Sequence, residues 1–227
     1  MSSDLTWRTV SGPVAYAEVM ANLRVAQKEQ TRQRLLDTAL ELFESKGYAA
    51  TTIDDIAAAA GTTRVTFYAY FPSRRAIMAA LIDRLNLILE RHESPAHGST
   101  ASALVDVVHA GSAEAIGGWV REQAARWPVI RPYILSATVA AAVEPEIREL
   151  VDEWSEEVVG DIKDGLDLAD RFDPATRHFR GVLAFEMLDR TNLHWIRHQW
   201  DIDTDPAIGV LVEAWVNLLG EPRGREG

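Results

Sequence analysis

The chain contains no cysteine, which excludes disulfide staples and thiolate sites for metal or catalysis. It also lacks an apolar run of the roughly 20 residues that a membrane-spanning helix needs, so no membrane partner is expected. The opening residues, MSSDLTWRTVSGP, show no basic stretch followed by an apolar one. No secretory leader is therefore expected, and the expected location is the cytoplasm. Phosphate-binding loops, dinucleotide-type glycine patterns and HExxH are missing, which argues against the enzyme classes that depend on them. Strand-type alternation of apolar and polar residues is missing as well. The expected class is all-α, with about nine helices.

What is present suits a globular protein. Of 227 residues, 47% are apolar and 25% charged, ample for a buried core. The net charge of −11 is unevenly placed. Residues 1–91 hold 11 Lys and Arg against 10 Asp and Glu, a balance of +1, and residues 92–227 hold 12 against 24, a balance of −12. The acidic half discourages unspecific contact with polyanions and leaves the first 91 residues to meet one.

The most informative stretch is Thr51 to Phe71, TTIDDIAAAAGTTRVTFYAYF. Thr52 followed by Asp55 resembles a short capping box at a helix start. Ile53, Ile56, Ala57 and Ala60 form a narrow apolar stripe, and Gly61 supplies the positive φ of a helix stop. Thr63 can cap a second helix. Two short helices joined by so tight a turn form a helix-turn-helix, whose second helix enters the major groove of DNA. Phe67 and Phe71, one turn apart, anchor that helix. Arg64 at its start suits guanine O6 and N7, and Val65 suits a thymine methyl. Thr66, Tyr68 and Tyr70 offer hydroxyls to phosphate oxygens. Ser73 then caps a helix opening on Arg74-Arg75, suited to a further phosphate. A wholly packed helix is the competing reading, but one arginine, two threonines and two tyrosines are many polar groups to bury.

The run GTTRVTFYAYFPSRRAI resembles the DNA-binding region of TetR-family transcriptional regulators, and the likeness holds from about Thr31 to Leu81. It implies DNA contacts at Arg32, Thr52, Arg64, Val65, Thr66, Tyr68, Tyr70 and Arg74. Three positions depart from the family pattern. Thr62 replaces an aliphatic core residue, Arg74 a lysine, and Arg75 an acidic residue. The two arginines are expected to add charge beside DNA.

Residues 1–28 precede this region as an extra helix, an arm or a tail, in which Arg24 and Lys28 are candidates for a minor-groove contact. Residues 29–91 are expected to form the DNA-binding module. It begins with an amphipathic helix from Thr31 to Lys46 and ends with a connecting helix from Ser73 to about Arg91. Residues 93–101 read as a linker within the second unit, 92–227. There, helical segments at 103–119 and 122–142 are interrupted near Gly117-Gly118 and Trp127-Pro128. A helix from Pro145 to about Leu168 carries Glu149, Asp152, Glu153, Glu156, Glu157 and Asp161, read as a solvated face. Asp173-Pro174 and Asp205-Pro206 open the last two helices.

Six of the seven tryptophans fall in this unit, either as core or as the lining of a cavity between helices. The segment from Phe185 to Val216, FEMLDRTNL through VEAWV, resembles the ligand domain of one branch of the family, the mycobacterial repressors of ethionamide activation. That resemblance implies a pocket for a small apolar effector, lined by Trp154, Phe185, Leu188 and Asp189, with Trp119 and Asn192 as further candidates. It also implies a homodimer paired through the last two helices, at Leu193, Ile196, Trp200, Leu211, Val212, Trp215 and Leu218, with Trp215 divided between pocket and interface. The expected function is a ligand-responsive repressor that binds a palindromic double-stranded DNA operator. An architectural DNA binder without ligand and a helical enzyme are the alternatives. For the enzyme, His194 and His198 are spaced as metal ligands but lack a third. Asp201, Asp203 and Asp205 imitate a calcium loop, but Pro206 and Val212 occupy its required Gly and Glu positions. No metal or cofactor is expected.

Overall fold

The computed structural model describes residues 13–94, 98–198 and 206–221, without the side chains of 13–19 and 194–198. Among the described residues there are nine helices and one small antiparallel ribbon. The all-α expectation therefore holds. The ribbon occupies the expected linker.

Helix α1 (Pro13–Lys46) is continuous. Residue 28 is thus not an element boundary: of the stretch 1–28, read as an extra helix, an arm or a tail, residues 13–28 are the first part of α1 and the remainder lies outside the described residues. Residues 21–30 are exposed throughout, whereas Leu35, Leu36, Ala39 and Phe43 are buried. The apolar periodicity that reveals a helix begins only where α1 meets a neighbour.

Helices α2 (Ile53–Ala59), α3 (Arg64–Tyr70) and α4 (Arg74–Ile88) each start on a hydroxyl cap, from Thr52, Thr63 and Ser73. Gly61 lies at φ +66° between α2 and α3, a conformation that costs other residues strain. Phe67 and Phe71 are buried.

Two overlapping cores organise the chain. The first joins α1–α4 to Trp127, Ile130, Tyr133 and Ala137 of α6 (Ala113–Ala141) and Ile147 of α7 (Pro145–Leu168). The second joins α5 (Ser102–Ala110), α6, α7, α8 (Pro174–His198) and α9 (Pro206–Leu219). Trp154 packs against both. Gly165 lets α7 approach α5, since a Cβ there would sit 2.7 Å from the Val105 carbonyl oxygen.

Helix α6 corrects two expectations. It runs through Gly117-Gly118, Pro128 and Pro132 without interruption, and the break lies earlier, at Gly111. Proline removes one hydrogen bond and disfavours a helix interior. Here Trp127, Ile130 and Tyr133 are buried on one side, so packing holds the helix through both prolines.

The ribbon pairs β1 (His92–Ser94) with β2 (Gly98–Thr100). It is pinned to α7 by an Asp161 that is fully buried. The Asp161 carboxylate accepts from Arg91 Nη1 at 3.2 Å, Thr100 Oγ1 at 2.6 Å and the Ala101 amide at 2.9 Å. Glu157 accepts from the Ser99 hydroxyl at 2.5 Å and lies 3.5 Å from Arg91. The acidic side of α7 is therefore not wholly solvated. A buried carboxylate needs such partners, and here they come from a segment about 60 residues away.

Candidate functional site

Helix α3 carries the first site. Its outward face presents Arg64, Val65 and Tyr68, with Val65 81% and Tyr68 44% exposed. Arg64 is exposed but held. Its Nη1 donates to Asp54 Oδ2 at 3.0 Å, its Nη2 lies 3.4 Å from the Tyr68 hydroxyl, and its guanidinium sits 5.6 Å from the Tyr68 ring centre. The Tyr68 hydroxyl and the Asp54 charge push its pKa further up. A cation fixed at the start of an exposed helix loses less freedom on meeting a base edge.

The other expected DNA contacts divide. Thr66 is half-buried and its hydroxyl lies 3.0 Å from that of Thr63, while Tyr70 packs partly against the first core. The Thr52 hydroxyl lies 2.7 Å from Asp55 Oδ2 and accepts from the Asp55 amide, closing the capping box. Lys46 and the two Thr52 donors hold the Asp55 carboxyl well below the usual range. Thr52 is therefore engaged as a cap. Arg32 lies over the Phe71 ring at 5.6 Å, with Glu29 at 3.8 Å.

Arg74 is engaged within the chain. Its Nη1 donates to the carbonyls of Tyr48, Ala49 and Thr51 at 3.0, 3.2 and 3.0 Å, and its Nη2 to Glu144 Oε1 at 3.1 Å. It also stacks over the Tyr48 ring at 4.2 Å. The Tyr48 hydroxyl donates to the same Glu144 oxygen at 2.7 Å, and burial raises the Tyr48 pKa, helped by that carboxylate. Arg74 thus knots the α1–α2 turn to the α6–α7 corner, and its donors are spent inside the protein. Arg75 pairs with Glu146 at the same corner. Both arginines are thus paired with carboxylates of the α6–α7 corner.

The second site is a cavity of about 270 Å³ among α5, α6, α7 and α8. All six expected ligand residues, Trp119, Trp154, Phe185, Leu188, Asp189 and Asn192, line it. Sequence reasoning missed Trp127, Ile130 and Ile134 on the same wall. Their phase on α6 was hidden by the break expected at Trp127-Pro128. A neighbouring cavity of about 230 Å³ shares Ile134, Trp154, Phe185 and Asp189 as a common wall. Trp154 donates its indole N–H to Asn86 Oδ1 on α4 at 2.7 Å, so the cavity wall is tied directly to the connecting helix. Asp189, partly buried in this setting, has its pKa raised by burial, opposed by Arg190.

The expected dimer residues also divide. Leu211 and Trp215 are 5% and 1% exposed within the single chain. Trp215 stacks on Trp119 with ring centres 5.2 Å apart. Both therefore belong to the protomer's own core, because side chains already buried leave no surface for a partner. Val212 and Leu218 pack partly against the same core, and Leu193 lines the smaller cavity. The side chains of Ile196 and Trp200 lie outside the described residues, as do those of His194, His198, Asp201, Asp203 and Asp205. Among the described side chains of α8 and α9, the large apolar ones that are exposed are Phe179, Leu183 and Val210, at 63%, 40% and 66%. Among the described residues no trio of His, Asp or Glu is placed to hold a metal, and no helix is long and apolar enough to cross a membrane.

Comparison with known proteins gives a consistent picture. Residues 35–81 match the model of the bacterial regulatory proteins of the tetR family. Over 96 residues the chain is 35% identical to the HTH-type transcriptional regulator SrpR of Pseudomonas putida, covering 40% of this chain and 45% of SrpR. Over the same length it is 34% identical to the uncharacterized HTH-type transcriptional regulator TtgW of Pseudomonas putida, covering 40% of this chain and 72% of TtgW. Over 51 residues it is 49% identical to the HTH-type transcriptional regulator EthR of Mycolicibacterium smegmatis, covering 22% of this chain and 24% of EthR. The matches thus span less than half the length of SrpR and EthR. In fold, the chain is similar to NalD, the secondary repressor of the MexAB-OprM multidrug efflux pump in Pseudomonas aeruginosa. The TM-score is 0.60 at 18% identity, covering 87% of this chain and all of NalD.

Proposed function

Because the chain belongs to the TetR family of bacterial regulatory proteins, we propose that it is a transcriptional repressor that binds a palindromic operator as a homodimer and releases it when a small apolar effector fills the cavity. The observation that carries this is the outward face of α3, where Arg64 stands exposed yet held by Asp54 and Tyr68 beside an exposed Val65. A cation and a small apolar group on one helix face suit a guanine edge and a thymine methyl. The repressor role of NalD is the reason for preferring repression to activation.

The route from cavity to α3 runs through α4. An effector among Trp119, Trp154 and Phe185 presses on Trp154, whose indole holds Asn86 of α4. The other end of α4 begins at Arg74, which grips the α1–α2 turn and Glu144. Filling the cavity therefore biases the position of α4 and of the helices carried with it. The effector shifts the balance only by as much as it prefers one position over the other. A twofold assembly places two α3 helices about 34–36 Å apart for adjacent half-sites. With Leu211 and Trp215 inside the protomer, that assembly falls to the outward side of α8 and α9, where Phe179, Leu183 and Val210 are exposed.

Selection of bound duplexes from a random pool tests this reading. The wild-type chain should enrich an inverted repeat, and Arg64→Ala should enrich it more weakly, with the preference lost at the base pair that Arg64 reads. A pool that stays unenriched at every salt concentration, or an Arg64→Ala variant that selects the same repeat as strongly and with every preference kept, would overturn it.

A further inference from the structure

We propose that the aromatic cavity is built for an organic cation, a molecule with an apolar or aromatic body and a positive charge set against the Asp189 carboxylate. This rests on reading the cavity as an effector site, and it names the chemistry of the effector.

The charged groups around the cavity are unequal. Arg126 is answered by Glu122 at 2.6 Å and Glu90 at 3.5 Å, and Arg91 by Asp161 at 3.2 Å and Glu157 at 3.5 Å. Those charges are spent on one another. Asp189 differs. It lines both cavities and, among the described residues, has neither a hydrogen-bond nor an ion-pair partner. Its neighbour Arg190 is turned to Glu186, at 3.7 Å. A partly buried carboxylate left in an apolar setting costs stability unless something pairs with it.

The surroundings favour a cation as that partner. Trp154 and Phe185, with ring centres 6.1 Å apart, share the wall with Asp189, and Trp119 and Trp127 line the same cavity. Aromatic faces attract cations, most strongly where water is excluded. An anionic molecule would meet Asp189 repulsively, and a neutral one would leave it unpaired. A quaternary ammonium, which brings no hydrogen-bond donors of its own, suits a wall of rings beside the one carboxylate whose charge is not already answered. Burial raises the Asp189 pKa, consistent with a carboxylate that lacks its counter-charge.

The test compares two molecules of nearly identical shape. One is 4-phenylbutyl-trimethylammonium, and the other is the neutral analogue with a tert-butyl group in place of the ammonium. Calorimetric titration of the full chain should show the cation binding at least about tenfold more tightly. In Asp189→Asn that preference should vanish while the neutral analogue keeps its affinity, which also shows the cavity intact. Equal or tighter binding of the neutral analogue to the wild-type chain, a preference that survives Asp189→Asn, or no binding of either molecule would overturn the inference. Release of a selected duplex is measured separately. Asp189-dependent cation binding without release keeps the cation inference and defeats the repressor mechanism. Release by the neutral analogue alone does the reverse.

Discussion

Arg64 and Arg74 are ten residues apart, and from sequence both are cations beside DNA. Their partners separate them. Arg64 faces outward on side-chain acceptors that a base edge can replace, whereas Arg74 satisfies three backbone carbonyls and a carboxylate. Arg64→Ala is expected to cost about 1–3 kcal/mol of site-specific binding with the fold retained, read by duplex titration and circular dichroism. Arg74→Ala is expected to lower unfolding stability by about 2 kcal/mol, because it removes charge-assisted bonds to carbonyls that cannot easily find replacements. Its salt dependence of DNA binding should be unchanged, whereas losing a phosphate contact would reduce the slope by about one. Asp189 makes a third prediction, with a definite sign. Its pKa is higher folded than unfolded, so the folded state holds the proton more firmly and stability falls as pH rises from the ordinary aspartate range through the raised value. Asp189→Asn should therefore melt higher than wild type at pH 7, with the difference shrinking towards zero below pH 3.8, the ordinary value. An unchanged or lower melting temperature at pH 7 would show that the carboxylate carries no such cost.

Among the elements, α4 connects the two sites, and its hydrogen bond to Trp154 gives that link a testable form. Trp154→Phe keeps an aromatic wall but removes the donor to Asn86. The variant should bind DNA as wild type does and respond more weakly to any molecule that releases the wild-type protein. Titration of the duplex complex with effector measures this, and an unaltered response would take Trp154 out of the route. Elements that announce themselves by local chemistry were legible in the sequence. Thr52, Thr63 and Ser73 mark the starts of α2, α3 and α4, and Pro145, Pro174 and Pro206 those of α7, α8 and α9. Elements that depend on distant partners were not. Pro128 and Pro132 signal a break that burial of Trp127, Ile130 and Tyr133 overrides. Asp161 has the same local signature as its solvated neighbours, and only the ribbon shows that it is buried. The six cavity residues were readable through family likeness, and the rest of the α6 wall was not, because its phase was lost at the supposed break. The intramolecular role of Arg74 was not legible because its acceptors are mostly backbone carbonyls, which carry no sequence signal.

At the scale of the whole molecule, charge and symmetry set the behaviour. The balance of +1 over residues 1–91 against −12 over the remainder keeps the excess acidic charge out of the part of the chain that carries α3. Association should then be steered by orientation and weaken steeply with salt. One α3 reads too few base pairs to define a site alone, so the proposal needs two copies held at the spacing of the DNA. The most direct measurement is a hydroxyl-radical footprint of the wild-type chain on its selected duplex, titrated to stoichiometry alongside Arg64→Ala. Two protected patches on one face of the duplex, about one helical turn apart, filled together by two chains and weakened in the variant, are the predicted result. A single patch filled by one chain, or protection undiminished without Arg64, would contradict the account.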